Sequence, residues 1–334
     1  MLAAALREGF RGPVFIQGDH FQVNHKKFAV DPVTEVNAVK ALVTEAVAAG
    51  FYNIDIDTST LVELSKKGLD EQQRLNYEVA IDILKHVRSV QPTGIDISLG
   101  GEIGEVGTEN STVEELRAFM DGFERTRKKQ APESEGLSKI SVQSGTSHGD
   151  TVLPDGSIAD VNIDFNTLGT LSKVARDEYG LAGAVQHGAS TLPDTAFNNF
   201  PKIETAEIHL ATNFQTMMFD NIPGTLRDEM YEWLRENAKD ERKATNTDEQ
   251  FFYKSRKKSI GPFKKQLWEL PAEAKQKLAK LYDEKFSFLF TQLAVGGTAK
   301  YVKEFVPEQK IHRKPPHEAG PGAIAAPDDA DVSD

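Results

Sequence analysis

The chain contains no cysteine. That excludes disulfides, thiolate zinc sites and cysteine nucleophiles, and leaves histidine and carboxylates to hold any metal. Long uncharged apolar runs are also missing. The N-terminal stretch Met1 to Ala5 has neither the basic region nor the cleavage pattern of a signal peptide, and no segment suffices to span a bilayer, so a cytoplasmic protein with no membrane partner is expected. Positive charge is in deficit: 39 Lys and Arg stand against 51 Asp and Glu, for a formal net charge of -12, and no arginine-rich block stands out. Such a field repels phosphate backbones, so nucleic acid is not an expected partner. A small anionic ligand stays compatible, because a metal ion and a few backbone N–H groups in a cleft outweigh a net charge screened over about 10 Å.

At 334 residues and 39% hydrophobic content the chain can bury a large core. Short apolar runs alternate with longer stretches of helical period, the pattern of an α/β protein with a parallel sheet. The expected strands are Val14 to Gln17, Tyr52 to Ile56, Gly94 to Leu99, Lys139 to Gln143, Ala182 to Gln186 and Ala206 to Leu210. Between them, Asp31 and Pro32 open a helix closed by Gly50, Asp70 begins another, Ser111 with Glu114 forms a capping box, and a helix from Leu168 to Tyr179 stops at Gly180. Gln130 to Gly136 reads as a surface loop. No internal repeat is visible. The strand rhythm stops near Phe219, which divides the chain into a strand-and-helix unit over 1–218, an α-helical extension over 219–310, and a Pro-, Ala-, Gly- and Asp-rich tail over 311–334 expected to be disordered. The extension is suited either to a homodimer interface or to an intramolecular cover.

The ionisable residues fall at equivalent places: Asp19, His20, Asp55, Glu102, His148, His187 and His209 all lie at or just beyond the C-terminal ends of expected strands. A parallel barrel aims those ends at one mouth, so residues distant in sequence converge there. Several imidazoles with carboxylates suit Zn2+ and other borderline divalent cations. A single histidine at a strand end is more often a hydrogen-bonded structural residue than a ligand, and it is the repetition that carries the reading. His25, His86, His312 and His317 share no such placement. His209 fits either a ligand or a residue that lines the pocket without touching metal.

The segments QGDHFQ at 17–22, IDIDTSTL at 54–61, GGEIGEVGTEN at 100–110, SGTSHGD at 144–150 and VQHGAST at 185–191 resemble, in order and context, those of class II, metal-dependent fructose-bisphosphate and tagatose-bisphosphate aldolases. The resemblance covers residues 13–215 and implies a TIM (β/α)8-type barrel. It implies that His20, His148 and His187 bind the catalytic metal, that Asp55 and Glu102 serve an alternative or second cation position, and that Asp19 is the acid/base exchanging a proton with the aldehyde oxygen. An orienting role for Asp19 beside His20 is the bland alternative. Gly149, Gly188, Ala189 and Ser190, with His209, Leu210, Ala211 and Thr212, match positions that hold the ketose phosphate. Glu109 matches the mobile-loop base for the carbon-bound proton, with Glu105 or a merely solvated carboxylate as alternatives; Gly104 and Gly107 permit a lid there.

The chain also departs from that family. EIHLATN at 207–213 stands where NIDTD is usual, GTEN where GGEED or GGVED is usual, and HGAST where HGGSG is usual, so the methyl of Ala189 must be accommodated near any phosphate. Asp19 and the first ligand normally lie on the third barrel strand, whereas here they follow directly on Met1 to Gly12, which reads as the end of a helix. The expectation is therefore a barrel without its first two strands, through N-terminal truncation or with the remainder supplied by a partner or an unusual closure. A sugar-phosphate lyase is the expected function. A non-catalytic aldolase-like subunit that binds sugar phosphate is the alternative from another class.

Overall fold

Six short segments pair as strands because each carries apolar residues on one side and polar ones on the other. They are β1 (Gln17–Gln22), β2 (Asn53–Asp57), β3 (Ser98–Glu102), β4 (Lys139–Ser141), β5 (Ala184–Gln186) and β6 (Glu207–Ile208). All neighbours are parallel and lie in sequence order in a single sheet. Parallel neighbours cannot be joined by hairpins, so the chain returns over helices between strands. This computed structural model describes residues 1–104, 109–145, 153, 163–190 and 192–306.

The helices within this unit are α1 (Leu2–Arg7), α2 (His25–Val30), α3 (Pro32–Ala49), α4 (Leu69–Val90), α5 (Val113–Gln130), α6 (Phe165–Tyr179) and α7 (Asn199–Lys202). Apart from α1, which has no buried residue, their apolar faces meet the outer side of the sheet in one large core. Ile54, Ile56, Ile81, Leu84, Leu99, Phe119, Phe123 and Ile140 are almost completely buried in it. Each such side chain contributes about 1.5–3 kcal/mol by leaving water. Asp31 caps α3 by accepting from the N–H groups of Val33 and Thr34, and Gly50 ends it, as expected.

Several boundaries differ from the sequence reading. β1 and β3 begin three and four residues later than the apolar runs at Val14 and Gly94 that announce them. Gly-Asp-His and Gly-Gly-Glu break the apolar alternation, yet the ladder runs through the second and resumes at Phe21 after the first. The capping box of α5 uses Thr112 and Glu115 in place of Ser111 and Glu114. Ser111 instead joins Gln143, donating its N–H to the carbonyl at 2.8 Å and accepting the Gln143 N–H on its hydroxyl at 2.9 Å. α4 starts at Leu69 after Gly68, not at Asp70, and α6 starts at Phe165 with Asp164 as its cap, before Leu168.

The sheet curls until the inward side chains of its two end strands touch. Gln17 Nε2 on β1 lies 3.2 Å from Glu207 Oε2 on β6, and Asp19 Oδ2 lies 2.7 Å from His209 Nδ1. Among the described residues no backbone ladder joins β1 to β6. The expected barrel is thus represented by six parallel strands whose ends meet through side chains.

Beyond β6 the chain is helical: α8 (Thr212–Asn221), α9 (Gly224–Asn237), α10 (Asp248–Ser255), α11 (Lys257–Ile260), α12 (Lys264–Trp268), α13 (Ala272–Gln292) and α14 (Ala299–Phe305). These helices carry two small apolar clusters of their own, around Phe219 and Met230 and around Leu234 and Phe251. α13 returns to the sheet unit. Tyr282 donates its hydroxyl to the Phe214 carbonyl at 3.0 Å, Lys285 pairs with Asp194 at 2.7 Å, and Leu289 sits in the main core. The expected tail over 311–334 lies outside the described residues. No helix among the described residues is long and apolar enough to cross a membrane.

Two glycines let the sheet pack, Gly18 on its outer, apolar side and Gly100 on its inner face. A Cβ on Gly18 would lie 2.1 Å from the ring of Phe21, which folds back over it. A Cβ on Gly100 would lie 2.3 Å from Asp55 Oδ1 and 3.0 Å from Lys139 Cε, both held in a buried ion pair. Gly100→Ala is therefore expected to lower stability by about 1–3 kcal/mol, the usual cost of overpacking a tight interior, read as a reduced urea midpoint. An unchanged midpoint would mean that the inner face is loosely packed.

Candidate active site

The site begins with an irregularity in β1. Gly18 pairs with Ile54 and Phe21 with Ile56, so β1 has one residue more than β2 between those pairs. His20 takes that extra place with φ at 51°. A non-glycine residue in this region costs about 1–3 kcal/mol and persists only where its surroundings enforce it. The bulge turns both Asp19 and His20 inward, where regular alternation would send one of them to the core, and Phe21 returns to the apolar side.

Around His20 stand two acids from neighbouring strands. Its Nδ1 is 3.1 Å from Asp57 Oδ2 and 3.7 Å from Glu102 Oε2, and both carboxylates are nearly buried. Burial alone lowers the His20 pKa, but the hydrogen bond to Asp57 and the charges of Asp19, Glu102 and Asp57 push it up to about 10. Burial also raises the pKa of Asp57, yet its bonds with His20, Ser59 and Gln22 outweigh this and hold it below the ordinary carboxylate range. Glu102 goes the other way, raised well above its usual value by burial and by the neighbouring Asp57 charge. Crowded acids of this kind lose their mutual penalty when a divalent cation enters.

Across the mouth, His187 and His209 complete a row of imidazoles. Ring centroids are 4.7 Å apart for His20 and His187 and 4.5 Å apart for His187 and His209. Ser141 Oγ on β4 holds His187 Nε2 at 3.0 Å, and His187 Nδ1 lies 3.7 Å from Asp19 Oδ2. Burial raises the pKa of Asp19, but the hydrogen bond from His209 and the charges of His209, His187 and His20 hold it far below the ordinary range. A cleft of about 620 Å³ opens between β1 and β6 beside this group, lined by Gln17, Asp19, Glu207, His209, Leu293 and Val295.

Asp19, His20, Glu102, His187 and His209 are therefore brought together. Asp55, expected at an alternative or second cation position, lies deeper. Lys139 Nζ stands 3.0 Å from its Oδ1 and 2.6 Å from Glu207 Oε2, and Gln17 Nε2 is 2.7 Å from its Oδ2, so an ammonium neutralises it, and a carboxylate oxygen of Asp55 also lies within 4.8 Å of donor atoms of Glu207 and His209. Asp57 is the acid beside His20. Sequence reasoning passed over it, although alternation in Ile54-Asp55-Ile56-Asp57 puts both acids on one face; the bulge in β1 decides which meets His20. Lys139 was missed as well, the signal being a lysine that opens an apolar strand.

Near the expected phosphate site, Ser190 Oγ accepts the N–H groups of Ala211 at 2.7 Å and Thr212 at 3.2 Å, capping α8. Ala189 is fully buried in the main core, so its methyl is accommodated there. Gly188 has φ at 66°, and Leu210 packs against the core. Glu109 is exposed. His148, Gly149, Glu105, Gly107 and Thr191 lie outside the described residues.

The donor chemistry fits a metal. Donor atoms of His20, Asp57 and Glu102 lie within 4.8 Å of one another, as do those of Asp19, His187 and His209. Nitrogen and oxygen donors without thiolate suit Zn2+ among other divalent cations. In metal-free protein, the raised pKa values of His20, about 10, and His209, about 9, against 6.5 in the unfolded chain, give stability that is complete below pH 6.5. That stability is lost as pH rises through the folded values. The urea midpoint of chelator-treated protein should thus fall between pH 6.5 and about 10, with a shallower fall in Asp57→Asn. A flat profile would show that the rings are neutral in the fold.

Residues 1–267 match the family profile described as Fructose-bisphosphate aldolase class-II. Among solved structures, a probable tagatose 6 phosphate kinase from Sinorhizobium meliloti 1021 is similar at 17% identity and a TM-score of 0.56, over 90% of this chain and 79% of that one. A fructose-bisphosphate aldolase from Campylobacter jejuni is similar at 17% identity and a TM-score of 0.44, over 86% of this chain and 73% of that one. No curated protein matches the chain. The first likeness speaks to the fold alone; the family assignment rests on the profile, which spans four-fifths of the 334 residues. The chain belongs to the class-II fructose-bisphosphate aldolase family.

Proposed function

We propose that the protein is a metal-dependent aldolase that reversibly cleaves a ketose phosphate, such as fructose-1,6-bisphosphate, into a dihydroxyacetone-phosphate-like ketone and an aldehyde. The observation that supports this reading is the convergence of Asp19, His20, Glu102 and His187 at one end of the sheet, with Asp19 Oδ2 3.9 Å from His20 Nε2 and 3.7 Å from His187 Nδ1. His20, His187 and Glu102 would hold the cation, Zn2+ by donor type, with His148 as a further ligand. When bound, it supplies positive charge beside the ketone and hydroxyl oxygens, where negative charge develops as the carbon–carbon bond breaks.

The chain's own groups do the rest. Asp19, ionised at neutral pH, takes the proton of the hydroxyl at the bond that breaks and returns it to the aldehyde oxygen in the reverse direction. Its carboxylate is 31% exposed and faces the cleft, whose volume of about 620 Å³ admits a sugar phosphate. Glu109, exposed in the loop after β3, offers a carboxylate for the carbon-bound proton. Gly188, Ser190 and Thr212, at positions that the resemblance assigns to the ketose phosphate, would form the anion end of the site, with Ser190 Oγ holding the N–H groups of Ala211 and Thr212 at the start of α8.

Chelation should abolish ketose-phosphate cleavage, and Zn2+ or Co2+ should restore it, in an assay coupled to triose-phosphate formation. Asp19→Ala should retain metal stoichiometry while turnover falls at least about 100-fold, the usual scale for a proton-transfer group. Turnover indifferent to chelator, or Asp19→Ala as active as wild type, would sink the reading.

A further inference from the structure

His209 sits where two strands that share no ladder come together, and both of its ring nitrogens are engaged by carboxylates. Its Nδ1 is 2.7 Å from Asp19 Oδ2 on β1 and its Nε2 is 3.1 Å from Glu207 Oε2 on β6. Its ring stands edge-to-face on His187, at 76° between planes. Glu207 is itself fixed, since its Oε2 also accepts from Lys139 Nζ at 2.6 Å and from Gln17 Nε2 at 3.2 Å. The imidazole therefore has no free rotamer without breaking contacts on two sides.

Asp19, by contrast, has little else to orient it. His187 Nδ1 at 3.7 Å and His20 Nε2 at 3.9 Å are beyond hydrogen-bond distance, so His209 makes the hydrogen bond to its carboxylate among the described residues. The side chain projects from a bulge in an end strand. A carboxylate that must meet one hydroxyl in both directions of a reversible reaction has to be held to a fraction of an ångström, and misplacement by about 1 Å costs on the order of 100-fold in rate.

We propose that Glu207 and His209 are positioning residues for Asp19: a carboxylate–imidazole–carboxylate clasp, anchored on the buried Lys139 ammonium, that crosses from β6 to β1 and fixes the acid/base in the cleft. This rests on the aldolase reading and adds to it a function for the 207–209 segment, where the chain departs from the pattern of the family it resembles. A clasp that only held the strands together would act on folding and leave the reaction alone. A positioning clasp acts on turnover through Asp19.

The test uses the full chain loaded with Zn2+. His209→Ala should lower kcat about 100-fold with KM within about threefold and zinc stoichiometry unchanged, and His209→Gln, whose amide still donates to Asp19, should recover about tenfold of the loss. Glu207→Gln should fall between wild type and His209→Ala. In a double-mutant cycle, Asp19→Asn combined with His209→Ala should be no slower than Asp19→Asn alone. Multiplicative losses would overturn the proposal by placing His209 directly on the substrate or metal, as would lost zinc. Crystal structures supply a readout free of turnover. In His209→Ala the Asp19 carboxylate should leave its position or occupy several, while His20 and His187 stay; an unmoved Asp19 overturns the proposal. If the zinc-loaded wild type cleaves no ketose phosphate, the aldolase reading fails, and the crystallographic comparison still decides the positioning role.

Discussion

The inner face of the sheet depends on one buried ammonium. Lys139 is 2% exposed, and its Nζ lies within 3.0 Å of carboxylates on β2 and β6, while its own strand lies between them in the order of the sheet. Removing such a cation would leave Asp55 and Glu207 facing each other in a low-dielectric interior, a loss of about 3–5 kcal/mol for a broken buried pair. Because β1 and β6 share no ladder among the described residues, this pairing, extended through Gln17 and His209, supplies the polar cross-links that keep the curled sheet's ends together. Directional hydrogen bonds here do what backbone pairing does elsewhere in the sheet.

On that base, the bulge in β1 sets the chemistry. With regular alternation, Asp19 and His20 would face opposite sides, and only one could reach the mouth. The positive φ of His20 puts both inside, at the expense of local strain, and brings His20 against Asp57 and Glu102 from the next two strands. The outcome is an electrostatic division of the mouth. Asp19 and Asp57, hydrogen-bonded to imidazoles, are held low, and Glu102 is raised by burial and by the neighbouring Asp57 charge. A divalent cation bound there would take over the charge balance that protons hold in the metal-free state, and its binding would release protons. The helical region after β6 adds a wall on the cleft side through Leu293 and Val295, and its longest helix is tied back to the sheet unit by Lys285 and Leu289.

Much of this was legible in the sequence, because local rules set it. Asp31 before Pro32, Gly50 and Gly180 marked helix ends through capping and left-handed geometry that depend on a few neighbouring residues. The order of strands followed from alternating apolar runs and helical stretches, and the repetition of His and acid at strand ends pointed to one mouth. The α5 cap shows the limit of the method: Ser111-Glu114 and Thr112-Glu115 are equally good boxes locally, and a bond from Ser111 to Gln143, thirty-two residues away, decides between them.

The sequence by itself determined the class of the fold, the family and the types of donor available, since periodicity, motif order and the lack of cysteine are properties of the chain. Only the tertiary structure decided which donor meets which. It set Asp57, not Asp55, beside His20, paired Asp55 with Lys139, turned the methyl of Ala189 into the core, and linked His209 to Asp19 across 190 residues. The physical reason is common to all four. Each depends on how segments distant in the chain are set against one another, and for the contacts of Asp19 and His20 also on the one extra residue in β1, which no local pattern in the sequence records.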